Sequence, residues 1–441
     1  MSKTKITLQT NERWLREQLA KKISGSHVGV WLLVPELVRL GAWDILKGLF
    51  GTEGKASLAT HIGLQLINES AIGVNRLRVR GALTNQGFAT ANGLSFLAAD
   101  ESVHALLDSC TVEEYRLAQE KLFHLRALQG HYGEEGVYAI DPHRIIATTK
   151  RIMPLKKKKP EAAATKMLQT FFCVDAYTGQ PVAFTNGSSG KKCGSATLQL
   201  MEIIKNAGVK RGLFLADKEH FTKDIAEWFS HHKEYEILMP APAIKKIREM
   251  YSKQHYVRQW AGYSLAETNY TFMDSDIVLR LIIQREGEVG GEYTYKGFLT
   301  TSTKDAVYLL SDNYPRRWTI ENFFNFEESH GWTNASTLNL NIKYGKQTLA
   351  LLAQAATHQL KKKLPDEYQH WTAKSLADQV LTNLDGDIRV EKNKIIVTFY
   401  GDHKKLDLEK HYSHISTQLV NEGLCPKIPW LLNYELEFRF K

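Results

Sequence analysis

Cysteine is scarce in this chain, with four residues in 441, at positions 110, 173, 193 and 425. They lack Cys-x2-Cys spacing and histidines at zinc-site intervals, so a structural zinc module is excluded and reduced thiols of a cytosolic protein are the plain reading. Long apolar runs are missing as well. The most apolar stretch, residues 28–43, is broken by Pro35, Glu36 and Arg39, which rules out an ordinary membrane span. No signal-peptide pattern is found, and a cytoplasmic location without a membrane partner is expected. Acidic surplus is absent too: 57 Lys and Arg stand against 48 Asp and Glu, a formal charge of +9. That balance suits a polyanionic partner, because neutralising phosphates releases counterions and supplies affinity independent of sequence. The 43% hydrophobic content supports real cores, and 441 residues allow two to four domains.

The most informative segment is residues 314–328, YPRRWTIENFFNFEE. Tyr314, Arg317, Glu321 and Glu328 fall at steps of three, four and seven, one stripe of a helix, while Ile320, Phe323 and Phe324 form the adjoining apolar stripe. Pro315 fits a first helical turn, with Asp312 or Asn313 as the cap. By itself the pattern also describes an ordinary amphipathic helix with an internal Arg317–Glu321 pair worth about 0.2–0.5 kcal/mol.

Two apolar runs upstream each end in an acid: residues 136–141, GVYAID, and residues 211–217, RGLFLAD. Each reads as a buried strand delivering one carboxylate, Asp141 or Asp217, although an Asp in that position is often a turn former or helix cap. Between them, residues 145–149, 167–174 and 181–185 read as a three-stranded antiparallel meander, followed by helical spacing over 195–207. Strand, helix and strand then continue through Asp217, residues 221–232 and residues 235–239. Three antiparallel strands followed by helix, strand, helix and strand describe an α/β, ribonuclease-H-like core. Asp175 is a competing carboxylate, but its Tyr-Thr-Gly context favours a hairpin turn. Residues 241–308 are strand-like with Gly- and Asp-rich turns, a β-rich insertion into the core.

The spacing Tyr-x2-Arg-x3-Glu at Tyr314, Arg317 and Glu321 resembles the signature around the last catalytic carboxylate of IS4-type DDE transposases. The order Asp141, Asp217, β-insertion, Glu321 resembles that family across roughly residues 130–360. The family usually carries a Lys seven residues after the Glu; this chain has Glu328 there, which removes a cation expected to contact a DNA phosphate.

The resemblance implies that Asp141, Asp217 and Glu321 are catalytic and bind two Mg²⁺ ions, with Mn²⁺ able to substitute. It implies DNA cleavage at element ends and transfer of the freed 3′-OH ends into target DNA, so the partners are double-stranded inverted-repeat ends and target DNA. Tyr314 and Arg317 are expected to position phosphates. Trp260, in the insertion, is a candidate for stacking on a flipped base, against the plainer reading of an aromatic packed on the insertion. A nucleoid-associated protein of a prokaryote is the implied setting. Two alternatives stand beside this: a DDE-type nuclease that does not join ends, and a non-catalytic DNA-binding protein derived from a transposase.

Basic residues crowd the meander that begins at Asp141. Lys150, Arg151, Lys157 and Lys158, with Arg144, Lys156, Lys159 and Lys166 around them, are candidates for DNA contact, with a solvated hairpin tip as the alternative. Residues 1–128 read as a helical N-terminal domain for DNA-end recognition, or as a helical cap, and no clean helix-turn-helix appears in them. Arg76, Arg78 and Arg80 alternate as they would on one face of an extended segment. The catalytic core is expected at 129–240 and 309–365, closed by a helix over 344–363. Residues 366–441 read as a small α+β appendage whose aromatic content could serve self-association as a homodimer. His231 and His232 read as a solvated helix end.

Overall fold

A computed structural model of the chain describes residues 6–25, 27–74, 86–157, 161–260, 262–288, 290–327, 330–331, 337–401 and 404–441. Its strands, in chain order, are β1 (Ile23–Gly25), β2 (Val137–Ile146), β3 (Met167–Asp175), β4 (Pro181–Ser188), β5 (Gly212–Ala216), β6 (Tyr235–Ala241), β7 (Arg258–Trp260), β8 (Tyr263–Tyr270), β9 (Leu279–Glu286), β10 (Thr294–Thr300), β11 (Gly386–Glu391), β12 (Lys394–Phe399), β13 (Lys427–Ile428) and β14 (Tyr434–Phe440). The chain divides into two compact units, one of residues 1–129 with 326–441, the other of residues 130–325.

The 130–325 unit is built on one sheet of order β4-β3-β2-β5-β6-β10-β9-β8-β7. Strands β2, β3 and β4 run antiparallel, whereas β2, β5 and β6 run parallel. Parallel neighbours need long crossovers, supplied here by the helices Cys193–Asn206 and Lys223–His231. This is the ribonuclease-H-like α/β core. Strand β3 is buried at every position, and β5 at all but its first, as expected for strands covered on both faces. At the start of β5 a Cβ on Gly212 would sit 2.7 Å from the Tyr138 ring, so the close approach of β2 requires glycine.

Strand β2 is longer than the sequence suggests. It passes through Asp141 and Pro142 without a break, because beyond Ile140 it pairs only with β3 and its open edge tolerates a proline. The residues of the expected insertion do not form a separate layer: β10 pairs with β6 in register Leu299↔Met239, and β9, β8 and β7 follow. Unpaired backbone donors and acceptors on the β6 edge are satisfied this way. Strand β8 ends at Tyr270, and Asp274 in the turn beyond it takes a positive φ of 58°.

The other unit joins segments expected as two domains. Strand β1 pairs with β11 in a five-stranded sheet of order β1-β11-β12-β14-β13. The helix Leu340–Lys361, expected to close the catalytic core, packs against the helices Leu58–Ala71, Val112–Leu128, Leu33–Arg39 and Asp100–Asp108. It is buried almost continuously from Ile342 to Thr357, and a helix enclosed on all sides needs a helical shell. Asn339 caps it by accepting from the Asn341 amide at 2.9 Å. Among the described residues no helix is long and apolar enough to cross a membrane.

Candidate active site

Strand register brings the two aspartates together. Ile140 of β2 lies beside Ala216 of β5 in the parallel pair, so the next residues, Asp141 and Asp217, emerge side by side at the carboxyl end of β5. Asp217 caps the short 3₁₀ turn Lys218–His220, accepting from the Glu219 amide at 2.9 Å and lying 2.8 Å from His220 Nδ1. The cap geometry that could have explained this Asp alone is therefore present, together with a partner, His220, that the sequence reading passed over. Its only signal was the Asp-x2-His spacing. His220 is fully buried.

Glu321 arrives on a helical segment more irregular than expected. The segment starts at Asp305, whose side chain accepts from the Val307 and Tyr308 amides, and not at Asp312 or Asn313. Asp312 instead pairs with Arg316 at 3.0 Å. One turn of α-helix, a wider π turn over Leu309–Asn313 and a 3₁₀ turn over Tyr314–Trp318 lead into the α-helix Thr319–Glu327. Pro315 occupies the start of the 3₁₀ turn, where its missing N–H costs nothing.

The apolar stripe anchors this helix as the spacing predicted. Ile320 and Phe323 are buried. Phe323 and Phe324 pack on Phe172 with centroids 5.4 and 5.7 Å away, and Phe324 also meets His143 at 4.8 Å. Phe172 is the β3 register partner of Asp141, so the aromatic clamp holds Glu321 over the strand that carries Asp141. Tyr314 packs its ring edge-on against Phe298 of β10 at 4.9 Å.

Electrostatics tie the acidic groups into one cluster. Burial first, then the charge of Asp217, with a smaller push from Glu321, raises the Asp141 carboxyl to about 7; His220 and Arg317 oppose the rise. Asp217 is also penalised by burial, but His220, the Glu219 amide and Arg317 hold it below the usual carboxylate range. His220 rises to about 10: burial disfavours its charge, and the Cys193 sulfur and Asp217 outweigh that penalty. Arg317, nearly buried, donates from Nη2 to Glu321 Oε1 at 3.0 Å. Burial works against its charge, while Tyr314, Asp141 and Glu321 sustain it. Arg144 of β2 completes the surround by donating to Glu219 and to Gln169.

Asp175 takes the role its sequence context suggested. It is fully buried and accepts from the amides of Tyr177 and Thr178 in the β3–β4 turn and from that of Gly133 ahead of β2. Lys150, Arg151 and Lys157 lie exposed on the connection after β2. Lys158, Lys159, Glu328 and Arg76 to Arg80 lie outside the described residues, as does the side chain of Trp260, whose backbone closes β7. All four cysteines are unpaired as disulfides, with Cys425 alone exposed.

The donor chemistry suits a hard divalent cation, which takes carboxylate oxygens, and the Asp141 carboxyl, raised first by burial and then by the charge of Asp217, is one whose ionisation such an ion would favour. Among the described residues, however, no three His, Cys, Asp or Glu side chains stand together as a ready ligand set. Glu321 faces Arg317 and Asp217 faces His220.

Residues 132–353 match the model of the transposase DDE domain family. No curated protein matches the chain. A solved structure, a piggyBac transposase synaptic complex with hairpin DNA, aligns with a TM-score of 0.40 at 11% identity over 82% of each chain. Because the family model covers half of its length, the chain belongs to the DDE transposase family.

Proposed function

We propose that Asp141, Asp217 and Glu321 are the catalytic carboxylates of an IS4-type transposase that cuts DNA at the ends of its element and joins the freed 3′-OH ends to target DNA. The observation that carries this reading is the parallel register that sets Asp141 beside Asp217, with the helix of Glu321 packed on Phe172, the strand partner of Asp141. Carboxylates delivered from separate elements toward one place are what metal-assisted phosphoryl transfer needs.

These three residues would hold Mg²⁺ or Mn²⁺, two ions in the family's manner, and the metal would supply a lowered pKa for the attacking hydroxyl and charge stabilisation for the leaving oxygen. The protein's own part is preparation. His220 and the Glu219 amide keep the Asp217 carboxylate ionised and aimed. The aromatic clamp fixes the Glu321 helix against β3. Arg317 is a reserve cation: when Glu321 turns from it toward the other two carboxylates, the guanidinium fork becomes free for a phosphate, which it can grip through two hydrogen bonds. Tyr314, locked by Phe298, positions that fork. Lys150, Arg151, Lys157 and Lys158 would contribute sequence-independent contacts to the DNA backbone, and Trp260 remains the candidate for base stacking. A homodimer assembled through the 366–441 segment would pair two DNA ends.

The test is Mg²⁺-dependent cleavage and strand transfer on DNA carrying the sequences that flank the gene, with Asp141→Ala, Asp217→Ala and Glu321→Ala alongside the native chain. Loss of cutting with retained DNA binding in all three variants supports the triad, and joined products distinguish a transposase from a nuclease. A native chain that binds those ends and cuts with neither Mg²⁺ nor Mn²⁺ sinks the catalytic reading in favour of a non-catalytic DNA-binding protein.

A further inference from the structure

The unit of residues 1–129 and 326–441 contains a cavity of about 530 Å³ whose wall includes Arg39, Lys363, Lys410, His411, Gln418 and Glu422. That volume lies in the range of small-ligand sites. At its base Glu36 is completely buried, and its carboxylate is fully engaged: it accepts from Arg39 Nη1 at 3.1 Å, from the Tyr412 hydroxyl at 2.8 Å and from Lys363 Nζ. The inward edge of Arg39 is thereby committed.

Its outward edge is not committed in the same way. Nε and Nη2 of Arg39 grip Glu422 at 2.7 and 2.9 Å, a two-pronged contact with a carboxylate that is itself 42% exposed. A phosphate presents paired oxygens to a guanidinium fork just as a carboxylate does, with more charge. Lys410 is exposed on the same wall, and its amine has no hydrogen bond or ion pair among the described residues. Arg39, Lys363 and Lys410 thus face Glu36 and Glu422 on this wall; after burial, the charges of Lys410 and Lys363 depress the His411 imidazole, and Asp407 and Glu36 oppose them.

We propose that this cavity binds a phosphate group, which takes the place of Glu422 on the outer edge of Arg39 and is held also by Lys363 and Lys410. The phosphate is carried by a nucleic-acid backbone or by a free phosphate compound. Glu422 acts as an internal stand-in for the ligand, neutralising Arg39 until the phosphate arrives. Nothing in this site draws on Asp141, Asp217 or Glu321, so it stands or falls separately from the catalytic reading.

The probes are inorganic pyrophosphate, by titration calorimetry, and a fluorescein-labelled single-stranded oligonucleotide, by anisotropy, each with the full chain. Lys410→Ala, at an exposed position outside the Glu36 network, is expected to weaken pyrophosphate binding about tenfold, the scale of one charge-assisted hydrogen bond. Glu422→Gln is expected to tighten it several-fold, because the internal competitor has lost its charge. The tightening is the discriminating result, since mere damage to the fold cannot produce it. If both substitutions move oligonucleotide affinity the same way, the phosphate belongs to a nucleic acid; if only pyrophosphate responds, a free phosphate compound is the ligand. Undetectable pyrophosphate binding by the native chain, or affinities unchanged in both variants, overturns the proposal.

Discussion

Arg317 donates to Glu321 at 3.0 Å from one turn earlier on the same helical segment. The pair is the one that helical spacing allows in any amphipathic helix, yet here the arginine is nearly buried and also senses Asp141 and Tyr314. It is therefore the counter-charge of an acidic cluster rather than a surface ion pair.

Replacing that guanidinium should separate the two roles. Arg317→Lys keeps the charge and loses the fork, so DNA cleavage should fall by about tenfold or more with little change in thermal stability. Parallel cleavage assays and calorimetric scans check this; an active lysine variant would reduce Arg317 to a structural residue.

The aromatic clamp makes a prediction on stability. Phe323→Ala removes a buried ring packed on Phe172 and should cost about 3–5 kcal/mol. Urea denaturation of the full chain measures it. Cleavage should fall further than stability alone explains, because the Glu321 helix loses its seat.

Acid sensitivity should come in part from His61. Its ring is buried, with Nδ1 3.0 Å from the Asn92 carbonyl and its edge against Trp43, and burial lowers its pKa to about 4, opposed by the Asn92 hydrogen bond. The unfolded chain binds this proton below pH 6.5 while the folded chain resists until about pH 4, so stability is lost as pH falls through that window, by about 1.4 kcal/mol per unit. Denaturation midpoints between pH 7 and pH 5 should drop less steeply in His61→Gln than in the native chain; equal slopes would remove His61 from the account.

Glu36 sits between Arg39, Lys363 and Tyr412 with no exposure to water. Glu36→Ala takes the carboxylate from Lys363 and leaves Arg39 with Glu422 alone, and should destabilise by about 3–5 kcal/mol. Denaturant titration checks this; a cost below about 1 kcal/mol would show that water reaches the cations readily.

The local patterns were legible in the chain itself. The alternation of polar and apolar residues around Tyr314, Arg317 and Glu321 encoded both an anchoring stripe and a chemical one, because helical periodicity is a property of neighbours in sequence. The apolar runs before Asp141 and Asp217 encoded buried strands for the same reason, and the Tyr-Thr-Gly context of Asp175 encoded its turn.

Tertiary structure alone decided which partners those elements met. That Asp141 lies beside Asp217 follows from a parallel register between positions 76 residues apart, Ile140 with Ala216, and His220 became a partner of Asp217 only once the chain turned after β5. Residues 241–308 contained strands whichever way they packed; pairing with β6, driven by its unsatisfied edge, made them part of the core sheet. The helix Leu340–Lys361 was equally plain as a helix, but its nearly continuous burial was satisfied by the helices of the 1–129 segment, because a shell for a helix enclosed on all sides must come from residues distant in the chain.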